Sequence, residues 1–249
     1  MVKIINRFIK NSIRKLGIDI CRLSPSVNPA FRLLKGLEHF GIDLVLDVGA
    51  NKGQFATELF SVGYQGRMVS FEPLVDAHQA LVKAAASLSR WDIHPRSAIG
   101  DIDGEIEFNI AGNSVSSSAL PMLDAHATAA AGSFYIGKIK VPSARLDAVA
   151  ETYLSSSNKY LIKIDTQGFE WSVLDGGPQT LAAAAGVHCE LSLVPLYEGQ
   201  RLWMEMIDRL KSAGFMLWSI QNGFTDQRSG RTLQIDATFF RIDNYAHLT

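Results

Sequence analysis

Apolar residues fall along this chain in two alternating patterns. Short continuous runs have the character of strands buried on both faces: LVLDV at 44–48, RMVSFE at 67–72, YLIKID at 160–165 and VHCELSL at 187–193. Between them lie stretches with apolar residues at helical spacing. These are residues 30–40, a helix carrying Phe55, Leu59 and Phe60, an Ala-rich stretch around 76–88, and helices at 169–174, 178–185 and 200–213, the last ending at Gly214. WDIHPRSAI at 91–99 reads as a strand in spite of Pro95, and GEIEFNI at 104–110 alternates with period two. This repetition predicts an α/β, doubly wound fold, a mostly parallel sheet with helices on both faces. FMLWSIQ at 215–221 and LQIDATFFRI at 233–242 are joined by a polar turn, which predicts an antiparallel pair at the sheet edge.

Two segments stand outside that alternation. In residues 2–22, Ile5, Phe8, Ile9, Ile13 and Leu16 fall at helical spacing, and six basic residues against Asp19 give a local charge of +5. Such a helix either docks its apolar face on the domain or lies on an anionic membrane surface. Residues 1–40 therefore read as an N-terminal helical segment and 41–249 as the domain. Residues 111–133 are rich in Ser, Ala and Gly; a loop of this length in a compact domain is usually a lid or a binding segment.

Composition narrows the picture further. A chain of 249 residues is long enough to bury a large core without staples. Its net charge of −1 provides no general positive field, so no nucleic acid is expected as a partner. Cys21 and Cys189 lie far apart with no CxxC spacing, which argues against a disulfide framework and against zinc. No apolar run is long enough to span a bilayer. The expected location is the cytoplasm, with contact to the inner membrane face only through residues 1–22.

Chemistry concentrates at two strand ends. The first strand closes in Asp47-Val48-Gly49-Ala50-Asn51-Lys52-Gly53, where ligands of parallel sheets bind. Gly49 lets a ligand approach the backbone, Gly53 relieves crowding at the next helix, and Asp47 offers an acceptor to a cationic group. The third glycine of GxGxxG is missing, which argues against a dinucleotide such as NAD. Glu72, followed by Pro73, ends the second strand, where an acid can accept both hydroxyls of a ribose.

The sequence resembles the FkbM-like family of S-adenosylmethionine-dependent methyltransferases. The pieces that carry this are LVLDVGANKGQF (44–55), VSFEP (69–73), SAIGDIDGEIEF (97–108), NSVSSSALPMLDAH (113–126), VPSARLD (141–147), YLIKIDTQGFEWSVLDGG (160–177), CELSLVPLYEGQ (189–200) and LQIDATFFR (233–241). They stand in family order over everything after the N-terminal helices. One departure is Thr166-Gln167, where the family has Val-Glu, so any role of an acid at 167 is absent here.

The resemblance implies a Rossmann-like class I methyltransferase fold, with a seven-stranded sheet bearing an antiparallel edge strand. It implies S-adenosyl-L-methionine bound by Asp47, Gly49, Asn51, Gly53, Glu72, Pro73, Ala98 and Asp165. It also implies O-methylation of a hydroxyl on a saccharide or glycolipid; a nodulation-factor fucose methyltransferase is one member type of this organisation. The rivals are a polyketide or other small-molecule acceptor, cofactor binding without turnover, and an NAD-dependent activity. A sugar hydroxyl needs a base, and the candidates are Asp165, His126 and Glu190, with His188 better suited to a core position. Asp165, Glu190 and Asp236 could together hold Mg²⁺, but their spacing does not specify a site, and no metal is assigned.

Overall fold

The computed structural model describes residues 24–155 and 158–241. Most of the N-terminal segment, including the stretch expected to meet a membrane, lies outside these residues. Among those described, no helix is long and apolar enough to cross a membrane.

Helix α1 (Pro29–Phe40) opens with two start signals. The Asn28 side chain accepts the Phe31 N–H at 2.7 Å and Pro29 takes the first helical position; Gly41, at φ +66°, closes it. Its Leu33, Leu34, Leu37 and Phe40 are buried with Val45, Met68, Leu161 and Phe240, so α1 belongs to the core of the domain.

Strand β1 (Leu44–Val48) is buried along its whole length. From there the chain runs outward through α2 (Gln54–Ser61), β2 (Arg67–Phe71), α3 (Val75–Ala85) and β3 (Trp91–Ile93). It later returns to the other side of β1 as β7 (Tyr160–Ile164), also wholly buried, and continues through α6 (Glu170–Asp175), α7 (Pro178–Ala183) and β8 (Gly186–Ser192). Helix α8 (Trp203–Ser212), β9 (Phe215–Asn222) and β10 (Gln234–Arg241) complete the domain. The seven strands lie in the order β3-β2-β1-β7-β8-β10-β9. β10 is the antiparallel member, inserted between β8 and β9 and one place in from the edge. The winding reverses between β1 and β7, which opens a crevice at their carboxyl ends.

A second sheet was not legible in the residue pattern. The expected strand at 91–99 is two strands in two sheets, broken at Pro95: β3 joins the main sheet and β4 (Ala98–Gly100) the other. β5 (Gly104–Ala111) and β6 (Tyr135–Arg145) pair antiparallel, and β4 pairs parallel with β6. Phe108 and Val141 pack with Leu74 and Ala77 of the α3 region, which accounts for the period-two pattern of β5. Between β5 and β6, the expected loop contains helix α4 (Asp124–Ala129) and is tied down by bridges at Asn109–Ser118 and Met122–Tyr197. Helix α5 (Leu146–Ala150) leads from β6 towards β7.

Candidate active site

The turn after β1 runs Gly49-Ala50-Asn51, and its first two N–H groups donate to the Phe71 carbonyl at 3.1 and 3.0 Å. Gly49 and Asn51 adopt φ of +77° and +48°. A Cβ on Gly49 would stand 1.8 Å from the Asp165 carbonyl oxygen. The loop after β7 thus packs directly against the backbone here. At Gly53 a Cβ would stand 2.6 Å from the Trp91 ring, so that glycine serves the packing of α2 against α3 and β3.

Above this turn lies a cleft enclosing about 920 Å³, part of it open to solvent. Gly49, Asn51, Glu72, Pro73, Ala98 and Asp165 line it, as expected from sequence. Glu72 is buried, and its two oxygens accept the N–H groups of Asn51 and Leu74, each at 2.8 Å. Burial outweighs those donors and pushes its pKa up to about 7.

Asp47 and Gly53 do not reach the cleft. Asp47 is fully buried beneath the turn, where it accepts Ser70 Oγ at 2.8 Å and ion-pairs with Lys163 Nζ at 3.0 Å. The cation Asp47 serves belongs to this chain. Lys163 also donates to the Gly49 carbonyl at 2.9 Å and lies 3.8 Å from Asp165. Burial disfavours the ammonium, but Asp47, Asp165 and Asp236 overcome that and hold the lysine pKa above its usual value. Lys163 therefore ties the turn after β1 to the loop after β7. Sequence reading missed it, because it sits inside an apolar run.

That loop, Asp165 to Phe169, is fixed from behind by Glu170. Its Oε1 accepts the N–H groups of Thr166 and Gly168 at 2.9 and 3.1 Å and the Thr166 hydroxyl at 3.2 Å. Burial pushes the Glu170 pKa up to about 7.

The three proposed bases fare differently. Asp165 lines the cleft with its side chain 39% exposed. Glu190 stands behind it and does not line the cleft; burial, then Asp165, Glu170 and Asp236, push its pKa well above the carboxylate range. β8 and β10 set Glu190 opposite Asp236, whose pKa burial raises to about 6. His126 is a correction to the expectation. It is buried in α4, its Nε2 lies 3.1 Å from Ser116 Oγ, and its ring packs on Tyr197 and Phe224. Burial lowers its pKa to about 4, so it is a packed core histidine away from the cleft wall. His188 is likewise buried, 2.9 Å from Thr238 Oγ1.

Residues 47–217 match the family model described as the methyltransferase FkbM domain. The 2-O-methyltransferase NoeI of Sinorhizobium fredii (strain NBRC 101917 / NGR234) is 28% identical over 176 residues, covering 68% of this chain and 71% of that protein. Among solved structures, magnesium protoporphyrin IX methyltransferase (ChlM) from Synechocystis PCC 6803 with bound SAM aligns over 86% of this chain and 78% of its own, at 8% identity and a TM-score of 0.46. The 1,6-didemethyltoxoflavin-N1-methyltransferase of Burkholderia thailandensis aligns over 90% and 93%, at 13% identity and a TM-score of 0.44.

Proposed function

The chain belongs to the FkbM methyltransferase family, and from that premise we propose that it methylates a hydroxyl of a saccharide or glycoconjugate. S-adenosylmethionine is its cofactor. Glu72 lines the cleft at the end of β2, where an acid fits the ribose of that cofactor. It buries a carboxylate with pKa held near 7 in spite of two N–H donors, an acceptor suited to the hydroxyls of a ribose. Asn51, Pro73 and Ala98 complete that side of the cleft.

The observation that carries the reading is Asp165, placed in the cleft beside the cofactor turn. Its carboxylate takes the proton that an acceptor hydroxyl must lose. Lys163, 3.8 Å away, offsets the repulsion of neighbouring carboxylates. When bound, S-adenosylmethionine supplies an electrophilic methyl carbon. The rest of that wall mixes hydroxyls (Ser114, Ser117) with the apolar faces of Phe169 and Val115, a lining suited to a polyhydroxylated ring. The 2-O-methyl transfer of the relative supports a hydroxyl as acceptor. The test is incubation with S-adenosylmethionine and panels of saccharides, glycolipids and polyketides, read by mass spectrometry. One added methyl on a saccharide is expected; methylation confined to the polyketides would overturn the saccharide reading.

Glu72→Ala should weaken S-adenosylhomocysteine binding by about 1.5–3 kcal/mol in calorimetry, the worth of hydrogen bonds to a charged group. Acidity should act in the same direction. Affinity of the unmutated protein should fall below pH about 7, by up to roughly tenfold per pH unit, as Glu72 takes up a proton. Stability without ligand should move the opposite way. Glu72 and Glu170 have folded pKa values raised from 4.5 to about 7, so their contribution is fully present below 4.5 and is lost as pH rises through 7. Melting temperature against pH, with and without the ligand, checks both signs. Parallel curves would remove Glu72 from the cofactor site.

A further inference from the structure

Gln167 has a left-handed backbone, φ +55°, a conformation in which glycine would be free of strain. Its side chain is what the position retains. Nε2 lies 2.9 Å from Asp165 Oδ1 and 3.0 Å from Glu190 Oε2, while Oε1 accepts the Tyr197 hydroxyl at 3.0 Å. Asp165 Oδ1 and Glu190 Oε2 stand on one side of the amide and the Tyr197 hydroxyl on the other, an arrangement that suits the NH₂ group turned towards the two carboxyl groups. The same device repeats along the row. Gln234 Nε2 donates to Glu190 Oε2 at 2.6 Å, and Gln221 Nε2 lies 3.3 Å from Asp236 Oδ2. Carboxyl groups just after β7 and on β8 and β10 are thus held by neutral amides.

We propose that Gln167 is a positioning residue whose amide nitrogen takes the place of a divalent cation between Asp165 and Glu190. This rests on Asp165 being the base of the methyl transfer. An amide supplies two directed donors and no net charge, so it aims both carboxyl groups without setting a dipositive charge beside them. A bound dication would lower the basicity of any carboxylate it touched. Ser118 Oγ donates to the Gln167 carbonyl at 2.7 Å, so the segment over the cleft rests on the same residue.

The test compares the full-length protein with Gln167→Glu and Gln167→Met. In Gln167→Glu a third carboxylate joins Asp165 and Glu190. Mn²⁺ at about a hundred times its Kd should then raise Tm by roughly 5–10 °C. The unmutated protein should show no such rise. Gln167→Met keeps the volume and loses both donors; the Glu190 carboxyl carbon, followed by NMR, should then titrate at higher pH than in the unmutated protein. A Mn²⁺ response of the unmutated protein that Asp165→Asn removes would overturn the proposal. So would a folded Gln167→Glu that is indifferent to Mn²⁺, or a Gln167→Met whose Glu190 titrates unchanged. Calorimetry of the unmutated protein with S-adenosylhomocysteine tests the methyltransferase reading separately.

Discussion

Replacing Asp165 by Asn is expected to lower kcat by about 10²–10⁴-fold, the usual worth of a general base, with S-adenosylhomocysteine affinity little changed. Asn keeps the shape of the side chain and its Oδ1 can still accept from Gln167, while the charge beside Lys163 and the proton acceptor are lost. Asp165 is the one proposed base on the cleft wall, and its 39% exposed side chain leaves it open to an acceptor. Lys163 and Gln167 hold it from two sides, 3.8 and 2.9 Å away. Steady-state kinetics on the saccharide identified by mass spectrometry decide the matter. An unchanged kcat would move proton removal to Glu190 or to water. A loss of affinity alone would make Asp165 a binding group.

The second large effect concerns stability. Gly49→Ala should destabilise the domain by more than about 4 kcal/mol, beyond what ordinary substitutions cost. The added carbon would meet the Asp165 carbonyl oxygen at 1.8 Å, a backbone atom that cannot move aside without parting β1 from β7. A left-handed φ alone costs roughly 1–2 kcal/mol for a non-glycine residue. Gly104→Ala supplies the comparison, since φ is +123° there and no heavy atom lies within 4 Å of the new Cβ. Urea denaturation should show Gly49→Ala far below Gly104→Ala. Equal losses would mean that backbone conformation, and not the collision, makes Gly49 necessary.

What could be read from the residues divides along a physical line. LVLDV and YLIKI announce central strands because burial on both faces demands continuous apolar runs. The place of Glu72 on the cleft wall was legible because it stands at the end of the second strand. The long strand β6 was not, since its half-exposed residues and Pro142 give it neither a continuous run nor a clean alternation. Asp47 was misplaced for a related reason. Its partner Lys163 lies across a strand pairing that no local pattern encodes. The bond from Gln167 to Glu190 is of the same kind, joining a loop to the next strand. His126 read as a loop histidine because a six-residue helix leaves too little periodicity to notice.

The ion pair under the turn after β1 also bears on how the two central strands find each other. β1 and β7 are parallel, with Asp47 opposite Lys163. Sliding one past the other by two residues would leave every apolar side chain on its proper face, so hydrophobicity alone discriminates poorly between such alignments. The shifted pairing would put Lys163 opposite Val45 or Gly49 and strand two charges in a dry interior, at about 3–5 kcal/mol for a broken buried pair. Two otherwise greasy and interchangeable segments are thereby given a single meshing position, as a key is by one tooth.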